Sequence, residues 1–290
     1  MSEFNTKLEN AYLQIQKRYA DIKKELGHLK KIGFRNKWNY IVTEENQVGL
    51  AFNFTADHAV YGPVDNMEQF IRLQPYVGKS LPEFIEYLLS RREIQMRSIC
   101  LAALNALSQP LINNYLEQDR SVSVAKSVTN NESFDFIEPE DVVTIVGYGG
   151  VAAKIYGKCK ELHISDMRPR HLLNTLTIGE EIEYGPEKII FHSATDNERI
   201  LAGSDVVMIT GCTLVNGTFQ ELIKFSQKAR VIGMYGPSAG IIPDFLIDCG
   251  INYISSARVC SAQLAYHLAN APDLTESFKS CMEPYIIRKF

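Results

Sequence analysis

The stretch TGCTLVNGT, residues 210–218, places three threonines, one asparagine and two glycines within a short segment. Its hydroxyls and the Asn216 amide are neutral hydrogen-bonding groups, and its glycines permit a tight turn. Because the stretch follows the apolar run DVVMI and precedes FQELIKF, it predicts a strand-to-helix loop. Thr218 and Glu221 match a capping box, and a helix N-terminus there would favour an anion. A bland alternative is that Thr218 only caps the helix and Asn216 only forms a turn.

A second glycine-rich loop, VGYGGVAAK at 146–154, follows an apolar run. It resembles a dinucleotide or S-adenosylmethionine loop, although Ala152 stands where the third glycine of GxGxxG would be. Asp166 ends the next predicted strand, where an acidic side chain commonly accepts ribose hydroxyls. The predicted cofactor-binding residues are Gly147, Tyr148, Gly149, Gly150 and Asp166. Alternatively, the glycines only allow close helix packing and Asp166 caps a turn.

The third polar loop, YGPSAG at 235–240, also follows a strand pattern. Ser238 and free backbone N–H groups could contact a ligand there, or Pro237 and Gly240 could simply set a tight turn. In a parallel sheet, loops that follow the strands meet at one edge. We therefore expect the three loops to line one cleft, with Thr210 and Asn216 near the Gly147–Gly150 turn.

The chain from residue 141 onward alternates apolar strands with helical patterns. This alternation predicts an α/β, Rossmann-like, mostly parallel sheet, with strands that include 142–147, 161–165, 205–209 and 231–235. The last predicted helix is CSAQLAYHLAN, residues 260–270.

The N-terminal part predicts a smaller α+β domain of one helix, a β-meander and further helices. Apolar residues from Leu8 to Leu26 recur on one helical face, and Ser80-Leu-Pro-Glu83 is a capping box. A more buried helix, 93–108, is expected to stop at Pro110. Polar residues 112–140 look like a connection, so we assign an α+β domain to 1–120 and a Rossmann-like domain to 121–290.

The overall composition excludes several classes of protein. The formal net charge of −4 gives no indication of nucleic-acid binding, and no apolar run is long enough to span a membrane. Without a signal-peptide pattern, we expect a cytoplasmic protein. Six scattered cysteines show no zinc-site spacing, so no metal site is predicted. The apolar stripe of the first helix, with Tyr12 and Tyr19, predicts a homodimer.

Catalytic residues cannot be assigned from the sequence. It contains neither a GxSxG motif nor a carboxylate pair held together by helical spacing. His163 and His267 are expected to be structural, whereas His171 and His192 lie near strand ends and could reach the cleft. Cys212 lies inside the predicted site, where we expect a neutral small side chain.

Two segments, DVVMITGCTLVNGT and GPSAGIIPDFLIDCGI, resemble the heavy-metal chelatase (heavy-metal chelation domain) family. VGLAFNF and LAALNALS are similar to its companion domain, so the resemblance spans nearly the whole chain. It implies an enolase N-terminal-like fold, followed by a Rossmann-like domain that handles a metal or a metal chelate. The family motif falls here on the predicted ligand-binding residues Thr210, Thr213, Asn216, Gly217, Thr218, Gly236, Pro237 and Ser238.

None of these side chains is a strong metal ligand, which favours a polar organic ligand that can itself chelate a metal. Our first hypothesis is a protein that binds or processes such a metabolite at the strand edge, covered by the N-terminal domain. The alternative is an enzyme that uses S-adenosylmethionine or NAD in the Gly147–Gly150 loop. A nonenzymatic oligomeric scaffold is the third hypothesis.

Overall fold

The computed structural model describes residues 6–35, 38–54, 58–62, 65–118, 134–173, 175–178, 181–184, 189–259 and 282–290. The predicted helix 260–270 and most of the predicted connection lie outside these residues. The division into domains at 120 therefore stays a prediction. Below, residues 6–118 are called the N-terminal region and residues 134–290 the C-terminal region.

The N-terminal region combines helices with a three-stranded antiparallel sheet of order β1-β2-β3. Its elements are α1 (Thr6–Asp21), β1 (Leu29–Arg35), β2 (Trp38–Thr43), β3 (Val48–Phe52), α2 (His58–Tyr61), α3 (Asn66–Leu73), α4 (Leu81–Leu89) and α5 (Ile94–Gln118). The predicted meander is present, and Ser80 caps α4, since its hydroxyl accepts a hydrogen bond from the Glu83 N–H at 3.4 Å. The Glu83 carboxylate accepts from Lys79 at 2.7 Å, so only this half of the predicted capping box is observed.

Helix α1 is shorter than its apolar pattern predicts. It ends at Asp21 rather than near Leu26, because Lys23 adopts a left-handed φ of 53° that stops the helix. Its apolar stripe is buried within the chain, with Tyr12 only 4% exposed. The stripe is therefore no argument for self-association, and homodimer formation stays a prediction that light scattering at micromolar concentration will check.

Helix α5 continues through Pro110, so the prediction that it stops there is wrong. Proline removes one backbone donor and crowds the preceding turn, yet a buried helix can retain it when its neighbours hold it in place. In that preceding turn, the Tyr19 hydroxyl donates to the Leu107 carbonyl at 2.9 Å. Packing of α1 against α5 therefore supports the turn that proline weakens.

Strand β3 lies directly against α5 at Gly49. A Cβ atom at this position would overlap the Ala102 carbonyl oxygen and the Ala106 nitrogen of the helix. Glycine is therefore required by backbone-to-backbone packing, not by its dihedral angles.

The C-terminal region contains a seven-stranded sheet of order β12-β11-β10-β9-β4-β5-β8. Its strands are β4 (Val142–Val146), β5 (Glu161–Asp166), β8 (Ile190–Ser193), β9 (Val206–Thr210), β10 (Val231–Tyr235), β11 (Tyr253–Val259) and β12 (Met282–Arg288). A separate hairpin consists of β6 (Thr175–Ile178) and β7 (Glu181–Tyr184). The helices are α6 (Val151–Ile155), α7 (Arg170–Leu173), α8 (Asn197–Ala202), α9 (Thr213–Asn216), α10 (Phe219–Phe225) and α11 (Pro243–Asp248).

All neighbouring strands of the large sheet are parallel except β11 and β12, which confirms the predicted Rossmann-like architecture. Two features were not predicted: the hairpin β6–β7 and the final antiparallel strand β12. Strand β12 contains Pro284, which weakens a strand prediction, but it lies at the sheet edge where proline is tolerated.

One continuous buried cluster includes residues of both regions, from Leu8 in α1 to Ile287 in β12. The two regions therefore meet through a shared apolar core. Among the helices in the described ranges, none has the length and apolarity needed to cross a membrane.

We expect Gly49→Ala to lower the free energy of unfolding by about 3 kcal/mol, because the added methyl group must push rigid backbone aside. Gly203→Ala is the control, since its Cβ atom would lie 3.7 Å from the Arg199 carbonyl oxygen, an ordinary contact. That change should stay within about 0.5 kcal/mol of wild type. Urea denaturation measures both variants, and equal losses would contradict the close approach of β3 and α5.

Candidate functional site

The candidate site lies at the carboxyl ends of four adjacent strands, β10, β9, β4 and β5. Register brings Tyr235 beside Thr210, while Val146 lies between Ile209 and Ser165. The turns that follow these strands are therefore neighbours at one edge, as the alternation of strands and helices predicted.

The turn at Gly147 packs against the start of the Thr/Asn stretch. A Cβ atom on Gly147 would lie 2.8 Å from the Thr210 Cγ2 and 3.2 Å from the Tyr235 hydroxyl, and its φ is +93°. Both facts require glycine at this position. Thr210 thus lies beside the glycine turn, as predicted.

Tyr235 also contacts the Gly147 turn. Its hydroxyl donates to the carbonyl oxygen of Gly147, and it lies 3.3 Å from the carbonyl of Val146. Burial raises the pKa of Tyr235 far above its ordinary value, and the nearby Cys212 and Asp166 add to the effect. Tyr235 therefore stays neutral and holds the Gly147 turn in place.

Asp166, the residue predicted to bind ribose, does not face solvent. Its side chain is 6% exposed, and its Oδ2 accepts from the Tyr148 N–H at 2.7 Å. Arg168 donates to the same carboxylate from its backbone N–H at 2.8 Å, its Nε at 2.9 Å and its Nη2 at 2.7 Å. The carboxylate is occupied by donors of the protein itself. Ribose binding by Asp166 stays a prediction, and it would require Arg168 to move away.

The residues of the glycine-rich loop differ in solvent exposure. Tyr148 is 7% exposed, and its ring packs edge-to-face on Phe191 at a centroid distance of 5.4 Å. Space beside Gly149 is open, and Gly150 precedes the short helix α6. The part of this loop that a ligand can approach is therefore the Gly149–Gly150 backbone, not the tyrosine ring.

The predicted loop 210–218 contains the one-turn helix α9, which Gly217 ends with a φ of +85°. The Asn216 Oδ1 accepts from the Thr218 N–H at 3.1 Å and the Thr218 hydroxyl at 2.8 Å. Thr218 has φ −86° and ψ −11° and makes no side-chain cap, so the predicted capping box is wrong. Its hydroxyl supports Asn216 instead of the α10 N-terminus.

The other end of the Asn216 amide reaches across to the N-terminal region. Its Nδ2 donates to the Tyr61 hydroxyl at 3.1 Å and points to the Met167 sulfur at 3.7 Å. The Tyr61 hydroxyl in turn lies 3.6 Å from that sulfur. We call Asn216, Tyr61 and Met167 the bridging cluster, because it joins three chain segments above the strand ends.

Thr213 and Ser238 are more deeply placed than predicted. Thr213 is 2% exposed, and its hydroxyl donates to the Thr210 carbonyl at 2.8 Å. Ser238 is 2% exposed, and its Oγ accepts from the Phe52 N–H at 3.0 Å. A Cβ atom on Gly211 would overlap the Ser238–Ala239 backbone, so the two loops are in contact.

The loop of Gly236, Pro237 and Ser238 therefore fills the junction between the regions. Asn105 of α5 reinforces it, since its Nδ2 donates to the Leu50 carbonyl at 2.7 Å and lies 3.4 Å from the Pro237 carbonyl. Gly236 adopts φ +92°, which turns the chain into this loop. The predicted third loop is adjacent to the cleft, but its Ser238 hydroxyl binds the N-terminal region at Phe52.

The histidines and cysteines have these positions. His192 contacts His163 on the face of the sheet, His171 is exposed in α7, and His267 lies outside the described residues. Cys212 is half-buried next to Thr210, and its N–H lies 3.4 Å from the Thr210 hydroxyl oxygen.

Several residues of the site were missed from the sequence. Tyr61 comes from a different region, and no local pattern connects it with Asn216. Arg168 had a usable signal, because an arginine two residues after a strand-ending aspartate can fold back on it. Met167 and Tyr235 resembled ordinary apolar residues.

The donor chemistry of the cleft does not suit a bare metal ion. Its accessible groups are an amide, hydroxyls, a thioether and one thiol, and the Asp166 carboxylate is held by Arg168. In the part of the chain that the structure describes, no three His, Cys, Asp or Glu side chains are grouped to hold a metal.

The fold and site define a class of protein: a Rossmann-like α/β domain whose strand ends are covered by a smaller α+β region. The chain belongs to the DUF364 family, whose description is "Putative heavy-metal chelation" and whose model matches residues 132–287. A second family model with the same description, DUF4213, matches residues 23–108. The proposed resemblance to heavy-metal chelation families is thereby confirmed.

Relatives support the same fold. An uncharacterised protein of Methanocaldococcus jannaschii is 21% identical over 256 residues, covering 87% of this chain and 86% of that protein. A crystal structure of a DUF364 protein of unknown function from Pyrococcus horikoshii has a TM-score of 0.65 at 20% identity, covering 99% of this chain and 100% of the other. One from Desulfitobacterium hafniense DCB-2 has a TM-score of 0.66 at 20% identity, covering 90% and 92%.

We expect Asp166→Asn to lower the free energy of unfolding by about 3 kcal/mol, because it leaves the buried Arg168 charge without its partner. In an Arg168→Met background the same change should cost much less, since the two residues act together. Denaturant unfolding of the four proteins in this cycle measures the coupling. Additive losses would show that the ion pair does not hold the turn.

Proposed function

We propose that the protein binds a small, polar, metal-chelating metabolite at the carboxyl ends of β4, β5 and β9. The observation that carries this proposal is the bridging cluster. An amide, a phenol and a thioether from three segments converge in this cluster, and neutral groups of this kind orient small polar ligands.

One cation near the bridging cluster supports an anionic ligand such as a carboxylate chelator. Arg168 is not that cation, because its charge is already paired with Asp166. Arg97 of α5 interacts electrostatically with Tyr61, and although burial lowers the pKa of Arg97, arginine remains charged at neutral pH. Guanidinium groups bind carboxylates well, and a carboxylate chelator presents several carboxylates.

A chelate explains the family description better than a bare ion does. The cleft offers few strong metal ligands, whereas a chelator brings its own donors and needs only orientation and charge neutralisation from the protein. The nucleotide alternative receives less support, because the Asp166 carboxylate that would accept ribose hydroxyls is taken by Arg168 and Tyr148.

Thermal-shift screening tests the proposal. The arms are divalent metals alone, carboxylate and amino-acid chelators alone, their metal complexes, S-adenosylmethionine and NAD. A ligand at one hundred times its dissociation constant stabilises the folded state by roughly 2.7 kcal/mol. We expect stabilisation by a chelator or its complex; stabilisation by the nucleotides alone would favour the alternative enzyme.

We further expect Asn216→Ala to weaken binding of that chelator about 5-fold, since the variant removes a hydrogen-bonding group worth about 1 kcal/mol and releases Tyr61. Calorimetric titration measures the change. Asn252→Ala is the matched control, because Asn252 bonds the Ile232 N–H and the Arg230 carbonyl at the opposite end of the sheet. It should leave affinity unchanged, and equal affinities for both variants would place the ligand elsewhere.

A further inference from the structure

A second polar feature, separate from the strand-end site, is a pair of histidines on strands β5 and β8. Register sets His163 beside Ile190 and Ser165 beside His192, so both imidazoles lie on one face of the sheet. Their side chains are 15% and 12% exposed. The pair therefore lies mostly out of water.

The two rings share a hydrogen bond. His163 Nδ1 lies 2.8 Å from His192 Nε2, the ring planes differ by 11°, and the centroids are 5.0 Å apart. Nearly coplanar rings with that centroid separation point their nitrogens at one another, which is N–H···N geometry. A shared metal ion would instead require both lone pairs to point at a third position.

Neighbouring carboxylates determine which nitrogens carry hydrogen. Glu161 Oε2 lies 3.0 Å from His163 Nε2, and a carboxylate can only accept, so this nitrogen donates. A neutral His163 then presents Nδ1 as the acceptor of the His192 Nε2–H. His192 Nδ1 faces Asp196 at 3.9 Å.

This arrangement accepts one proton but not two. A proton on His192 Nδ1 leaves the N–H···N bond intact and faces Asp196. A second proton would place two N–H groups and two positive charges against each other. Among the described residues, the charged groups that face the pair are Glu161 from β5, Asp196 from the turn before α8, and Arg199 from α8. Burial, then His163 and Arg199, lower the pKa of His192, while Asp196 opposes them.

We propose that His163 and His192 form a switch that holds edge strand β8 on β5 while the pair carries no more than one proton, and that loosens β8 in acid when a second proton breaks the N–H···N bond. Strand β8 has four residues, is only half-buried and, as the last strand of the described sheet, pairs on one side alone. It leads into α8, where Asn197 receives the Ser165 hydroxyl hydrogen bond. Loosening β8 would therefore release this end of the sheet.

The direction of the pH effect follows from the lowered pKa of His192. The folded protein binds fewer protons than the unfolded chain near the ordinary histidine pKa of 6.5. The stabilisation is thus complete above that pH, and it is lost as the pH falls from there through the folded-state pKa.

Hydrogen exchange tests the switch in the full chain. After correction for intrinsic exchange, protection of β8 amides should fall about 10-fold between roughly pH 7.5 and pH 5, an interval that brackets histidine titration. Amides of Val207 in β9 and Met234 in β10 should keep their protection and serve as internal references. Unchanged β8 protection across this interval would overturn the proposal.

His163→Gln retains a group that can hydrogen-bond His192 but does not titrate, so it should leave only the smaller pH dependence that His192 causes alone. His171→Gln, at an exposed histidine outside the pair, should keep it. Should His163→Gln fail to fold, imidazole ¹⁵N shifts of the wild-type protein decide: uptake of one proton by the pair before β8 opens supports the switch. Independent uptake of two protons, or a wild-type response in folded His163→Gln, rules it out.

Discussion

Burial of helix α5 on all its faces is the constraint that sets the arrangement of the molecule. Every residue from Ser98 to Ser108 is buried, and apart from Asn105 these side chains are apolar or small, which is typical of a helix enclosed by protein. The β2–β3 sheet covers one face, with Gly49 allowing backbone contact, and α1 and α4 cover others. The C-terminal region completes the enclosure through α9 and the Pro237 turn. The two regions thus share one buried cluster, and the C-terminal region has a second cluster of its own.

That enclosure also places the candidate site. Because β3 lies on α5, the Phe52 N–H meets Ser238, and Asn105 holds both sides of the junction. Tyr61 then reaches Asn216 from above the strand ends. The cleft is therefore built from contacts between regions, and its polar groups are largely satisfied by one another before any ligand arrives. Such pre-organisation reduces the cost of ordering side chains when a ligand binds.

Some of the site was predictable because its causes are local. A polar, glycine-containing segment after an apolar strand must lie at the sheet edge, and this placed Thr210 beside Gly147 correctly. The predictions that the structure does not match have a common cause. Asp166, Thr213 and Ser238 carry side chains that suit a ligand, but each satisfies a backbone or side-chain partner that the pattern does not reveal. The prediction that α5 stops at Pro110 failed for a related reason. The low helix propensity of proline opposes a helix there, but tertiary packing maintains it.

The parallel strands and the three turns at their ends could be predicted from the amino-acid pattern, because hydrophobic periodicity and glycine placement act over a few residues. Only the tertiary structure decided which of those turns face open space, that Tyr61 belongs with Asn216, and that Arg168 holds Asp166. It alone also paired His163 with His192 from separate strands. These outcomes depend on groups distant in the chain, whose hydrogen bonds form once the shared core has brought them together and excluded water.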